Sequence, residues 1–118
     1  MLESNTLMTN PSKSKGDRAE LELAKLLNEQ LGGNVRRKLG AGRADDTGDL
    51  DNVERTTVQV KNYKNVMRAI TEGLPGLEQQ QANSGDDMAV LFVRRHGGQW
   101  VAIQTLEMWC ATHREATA

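Results

Sequence analysis

At 118 residues the chain is sized for one domain with one core, and 37% hydrophobic with 26% charged residues is ordinary for a soluble globular protein. No stretch approaches the roughly 20 apolar residues that cross a bilayer, the opening MLESNTLMTN lacks the build of a signal peptide, and the lone Cys110 cannot close an internal disulfide, so a cytoplasmic, reducing setting without membrane is expected. Fifteen Lys and Arg against sixteen Asp and Glu argue against a general nucleic-acid coat protein, and 3% aromatics disfavour single-strand binding by stacking.

Residues 1–13 are polar and aperiodic and read as a loose arm, leaving 14–118 as a single domain. Ser14 is placed to cap a helix, with Asp17 three residues on, and Gly32-Gly33 stops that helix near Gln30 or Leu31. Helical spacing puts Glu20 in a row with Ala24, Leu27 and Leu31, where a carboxylate is costly without a partner, while Glu22 and Glu29 are expected outward beside Lys25. Asn34 to Leu39 alternates Val35, Arg37 and Leu39 against Arg36 and Lys38 and predicts a strand. Gly40-Ala41-Gly42 opens a loop reaching Gly48.

Charge is blocked along this stretch. Eight basic and four acidic residues lie between Lys13 and Arg43, five acidic and no basic ones between Asp45 and Glu54, and Lys61, Lys64 and Arg68 follow. An acidic cluster between basic flanks suits a divalent cation meeting a phosphodiester, although a solvated charged loop gives the same composition. Asp49-Leu50-Asp51 predicts a short strand and Thr56–Lys61 another, on which Gln59 and Lys61 share one side and Val58 and Val60 the other.

From Val66 to Asn83 the pattern is helical but broken by Gly73, Pro75 and Gly76, which predicts one short turn and a better helix over Leu77–Ala82. Met88–Val93 reads as a central strand, Gly97-Gly98 as a hairpin turn into Trp100–Gln104, and Thr105 as the cap of a last helix. The order α-β-β-β-α-β-β-α makes an α/β fold with a mixed central sheet flanked by helices.

Several chemistries fail on residue type. His96 and His113 have no nucleophile context, one Cys with two separated His gives no zinc spacing, and the Asp cluster does not match a calcium loop. Gly40-Ala41-Gly42 lacks the third glycine of a dinucleotide fingerprint. Adjacent strands lie about 4.8 Å apart, so Asp49, Gln59 and Lys61 can converge, with Glu20 projecting from the first helix. Oxygen donors of this kind suit Mg²⁺ or Mn²⁺.

Lys15-Gly16-Asp17-Arg18-Ala19-Glu20, Gly48-Asp49-Leu50 and Val58-Gln59-Val60-Lys61 together resemble the PD-(D/E)XK nuclease superfamily, and within it the archaeal-type Holliday junction resolvases and their phage-encoded relatives. The motifs span roughly Lys13 to Lys64. The resemblance implies a restriction-endonuclease-like core in which Glu20, Asp49, Gln59 and the Val60 carbonyl surround Mg²⁺ and Lys61 is catalytic. It departs at Gln59, where the family usually carries Glu or Asp; an amide oxygen can bind a metal but brings no charge, unless Asp51, Asp46 or Glu54 compensates. The implied activity is metal-dependent cleavage of branched DNA in a prokaryotic or phage-infected cell. Lys15, Arg36, Arg37, Lys38, Arg43, Lys64 and Arg68 would contact phosphates. Symmetric cuts imply a homodimer, with Trp100, Met108 or Trp109 either at its interface or in the core. Open alternatives are another nuclease of the superfamily (nicking, repair or restriction type), a DNA-binding module with a degenerate site, and an interaction protein without a nucleic-acid partner.

Overall fold

The computed structural model describes residues 11–38 and 46–118; most of the N-terminal arm, Leu39, the Gly40-Ala41-Gly42 loop and Arg43 lie outside them. In order, the elements are α1 (Pro11–Leu31), β1 (Arg36–Arg37), β2 (Leu50–Asp51), β3 (Thr56–Lys61), α2 (Val66–Ser84), β4 (Met88–Arg94), β5 (Trp100–Ile103) and α3 (Leu106–Ala116). The chain is thus α/β, with the element order expected from its periodicity. Helix α1 begins three residues before Ser14, at Pro11, whose fixed φ suits a first helical position. Residues 11–13 are therefore helical, and Ser14 lies inside the helix and not at its start.

Strands β1 and β2 pair antiparallel over Arg36↔Asp51 and Arg37↔Leu50. Lys38 N–H donates to the Asp49 carbonyl (2.8 Å), extending this short ladder on the side away from Asn34, so the expected Asn34–Leu39 strand shrinks to its centre. The second sheet is mixed: β3 runs parallel to β4 from Thr56↔Met88 to Lys61↔Val93, and β5 returns antiparallel from Arg94↔Trp100 to Leu91↔Ile103. Helix α2 is the crossover that a parallel pair demands.

Alternation along the strands makes two cores. Val58, Val60 and Val90 face Ala19, Leu23 and Ala24 of α1, together with Val35 and Leu50. Ala89, Leu91 and Val93 face Ala69 and Leu77 of α2 and Met108 of α3. Met108 is thereby a core residue, and Trp100 packs at the margin of the first core.

Helix α2 runs unbroken through Gly73, Pro75 and Gly76, against the local expectation. Its buried stripe Ala69, Gly73, Leu77 and Gln80 lies on β3 and β4, and that tertiary packing outweighs the roughly 3 kcal/mol penalty of an interior proline. Gly73 is a contact device: a Cβ there would stand 2.9 Å from a Leu91 methyl. No helix among the described residues is long and apolar enough to cross a membrane.

Candidate active site

The site grows from the turn before β2. Gly48 has φ +115°, and a Cβ on it would sit 2.8 Å from the Val58 carbonyl, so only glycine lets the chain pass this close to β3. Asp49 N–H then donates to Val58 C=O (2.7 Å), joining the two sheets, and the Asp49 Oδ2 accepts from Val60 N–H (2.8 Å). A carboxylate takes the place of a strand backbone along this part of β3. The N–H and C=O of one strand residue project to the same side, so the Val60 carbonyl faces Asp49 as well.

Asp49 is only 8% exposed, and this burial, opposed by the Val60 N–H, pushes its carboxyl from the ordinary 3.8 up to about 6. Glu20 and Asp46 push it the same way with their negative charge, and Lys61 pulls it down. Four residues spread over the chain therefore act on one spot. Lys61 leaves β3 half-buried, with its ammonium 5.6 Å from the Tyr63 ring centroid.

Gln59, beside them on β3, is buried beneath α2 near Gly76, and its Oε1 has no hydrogen-bond donor. An unpartnered buried carbonyl oxygen is costly, and a hard cation is one species that satisfies it. The Asp49 carboxylate, Gln59 Oε1 and Val60 C=O fit the donor preferences of Mg²⁺ or Mn²⁺. Among the described residues no three His, Cys, Asp or Glu side chains gather to hold a metal, so a cation at Asp49 would have to draw on amide and backbone oxygens as well.

Glu20 has the partner that its buried row demanded, and that partner is Arg37: Arg37 Nε donates to Glu20 Oε1 (3.0 Å) and Nη2 to Asp17 Oδ1 (2.9 Å). Arg37 thus bridges two carboxylates within the fold while about a quarter of its side chain stays exposed. Lys38 donates to Thr47 Oγ1 (3.0 Å), and Arg68 pairs with Glu72 (2.7 Å) while lying over Tyr63. Arg36 is exposed on β1. Asp51 and Glu54 are exposed on the β2–β3 hairpin. Lys15 and Lys64 line a pocket beside the end of β3 with Arg94, Arg95 and His96, and a second pocket, which shares Lys15 and Arg94 with it, adds Arg18.

Arg18, Arg94 and Arg95 were not singled out by sequence pattern, although Arg94-Arg95-His96 before Gly97-Gly98 marks a basic hairpin tip. Glu22 keeps 41% of its side chain exposed, as expected of an outward carboxylate, and accepts from Arg94 Nε (2.9 Å) and Trp100 Nε1 (2.7 Å). Gln80 was not among the expected site residues, although it stands three residues after Leu77 on the buried stripe, where a polar residue is a signal. No protein-family model matches the chain, and no curated protein matches it.

Proposed function

We propose that the protein is a metal-dependent, structure-selective DNA endonuclease with a restriction-endonuclease-like core, acting on four-way junctions inside a prokaryotic or phage-infected cell. One observation carries this reading: a buried carboxylate, Asp49, is pinned to the edge of β3 where the charges of Glu20, Asp46 and Lys61 reach it, and Gln59 on the same strand keeps a buried oxygen without a donor. Such a group destabilises the fold and is retained where chemistry needs it.

Asp49, Gln59 Oε1 and the Val60 carbonyl would hold Mg²⁺ or Mn²⁺. When bound, the ion lowers the pKa of a water and offsets charge on the scissile phosphate. Lys61 orients the attacking water and stabilises the charge that develops on the phosphoryl oxygens. Lys15, Arg18, Lys64 and Arg95, which line the two pockets there, bind the flanking backbone by charge, which reads shape and not sequence. Two symmetric cuts require a homodimer, for which the exposed Leu106 and Trp109 of α3 offer apolar surface.

The test is a labelled four-way junction, a matched duplex and a single strand, each incubated with Mg²⁺, Mn²⁺ or EDTA. Paired nicks near the crossover in metal alone are expected, lost in Asp49→Asn and Lys61→Ala with junction binding retained. Cutting of plain duplex would instead make the protein a nicking, repair or restriction-type nuclease. A second reading, a junction-binding module that does not cut, is favoured by the neutral Gln59 and by the engagement of Glu20 with Arg37. It predicts shifted, intact junctions in every metal.

A further inference from the structure

Lys61 carries its ammonium on a long flexible stem, and such a group is poorly aimed unless something holds it. Among the described residues the ammonium makes no hydrogen bond and no ion pair, although its charge reaches both Asp49 and Glu72. What stands beside it is an aromatic face. Nζ lies 5.6 Å from the Tyr63 ring centroid, within reach of a cation–π attraction.

Strand β3 ends at Lys61, so the sheet does not hold Tyr63. Helix α2 holds it instead, through three contacts. The ring packs against the core beneath α2, and its hydroxyl donates to Glu72 Oε1 (2.9 Å). The Arg68 guanidinium lies 5.1 Å from the ring centroid and donates through Nε to Glu72 Oε2 (2.7 Å). One carboxylate thus ties down both the ring and the cation above it, and its charge keeps Arg68 from driving Lys61 off the ring. Asn65 caps the helix by accepting from Arg68 N–H (3.1 Å), which fixes the backbone that carries Arg68.

We infer that Tyr63 is a positioning residue for Lys61: its ring, anchored by Glu72 and Arg68 of α2, holds the ammonium where its charge reaches Asp49. This rests on the reading of Lys61 as the group that orients the attacking water. An aromatic face attracts a cation without taking up a directed hydrogen bond, so the ammonium N–H donors stay free for a water and a phosphoryl oxygen. A carboxylate in the same place would occupy a donor and repel the phosphate. Glu72 and Arg68 act through Tyr63, one step further from the chemistry.

The experiment measures four-way-junction cleavage in Mg²⁺ over a range of junction concentrations, with NMR spectra in which the Lys61 CεH₂ signal is assigned by its loss in Lys61→Ala. In wild type that signal is expected upfield of the other lysines, displaced by the ring. Tyr63→Leu should return it to their position and lower the rate at saturating junction about tenfold, with the half-saturating concentration within about twofold. Tyr63→Phe keeps the ring, and should keep the displaced signal and a rate within about threefold of wild type. Leu74→Ala loosens the same core without touching the ring, so it should lower the melting temperature and leave the rate unchanged. An undisplaced signal in wild type, a Tyr63→Leu rate within about threefold of wild type, or equal losses in Tyr63→Phe and Tyr63→Leu overturns the assignment and leaves the nuclease reading standing. If Tyr63→Leu does not fold, an undisplaced wild-type signal or a tenfold loss in Tyr63→Phe overturns it. If wild type cuts no DNA in any metal, both the assignment and the reading beneath it fail.

Discussion

Strand β3 separates two halves built on different terms. Toward β4 its backbone is paired without a gap from Thr56↔Met88 to Lys61↔Val93, the buried Thr57 hydroxyl donates to Asp86 (2.8 Å), and Ala89, Leu91 and Val93 are sealed beneath α2. Toward β2 the ladder is short, and a carboxylate accepts the N–H of Val60 where a backbone carbonyl would normally do so. There burial keeps Asp49 at about 6, and Gln80, which reaches from α2 to Asp46, leaves its own amide oxygen without a donor, as does Gln59 beneath the same helix. One half satisfies its groups and the other keeps several under penalty, at the place where a bound ion would relieve them.

The largest effect is expected on the satisfied side. Leu91 is fully buried against Gly73, so Leu91→Ala leaves a cavity and should cost about 2–5 kcal/mol in urea unfolding. The loss should be the same at pH 5 and pH 8, since no titrating group is touched. A cost below about 1 kcal/mol would mean that this half is not the mainstay of stability.

On the other side a substitution should stabilise. The folded protein holds the Asp49 proton more tightly than the unfolded chain does, because the carboxyl rises from 3.8 to about 6. The penalty is therefore full above pH 6, fades as pH falls from 6 toward 3.8, and is absent below that. Asp49→Asn keeps an acceptor for Val60 N–H and removes the charge, so it should stabilise the metal-free protein by up to about 3 kcal/mol at pH 8 and by little at pH 4. Urea unfolding at the two pH values decides it; equal gains at both would deny that charge burial is the cause. If Asp49 holds the proposed cation, metal affinity should weaken as pH falls below about 6, where the metal-free carboxylate takes up a proton.

How much of each half could be seen in the sequence follows from the same contrast. The apolar run Met88–Val93, the period-two pattern of Thr56–Lys61 and the Thr105 cap are local signals, and the structure carries them as expected. Asp49, Gln59 and Lys61 could be grouped because strand spacing fixes which side each residue takes. The remaining features depend on partners far along the chain. Glu22 reads as an outward carboxylate, and only the fold brings Arg94 and Trp100, 72 and 78 residues away, against it. Arg37 reads as a free cation until Asp17 and Glu20 close on it. Pro75 reads as a break until the sheet beneath α2 overrides it.

The smallest effect tests whether the two halves are independent. Thr105 Oγ1 accepts from Met108 N–H (3.1 Å) at the start of α3, and Thr105→Ala should cost about 1 kcal/mol. The cost is less than that of Leu91→Ala because Thr105 is only partly buried and water can replace the hydroxyl at a helix end, whereas nothing refills the space beside Gly73. Thr105 and Asp49 share no hydrogen-bond partner, so the double variant should show the sum of the two single effects to within about 0.5 kcal/mol, at pH 8 and at pH 4 alike. A larger deviation, present at pH 8 and gone at pH 4, would show that the strain at Asp49 is transmitted across β4 into α3. The site would then be part of the core's own energetics and not a feature laid along one edge of β3.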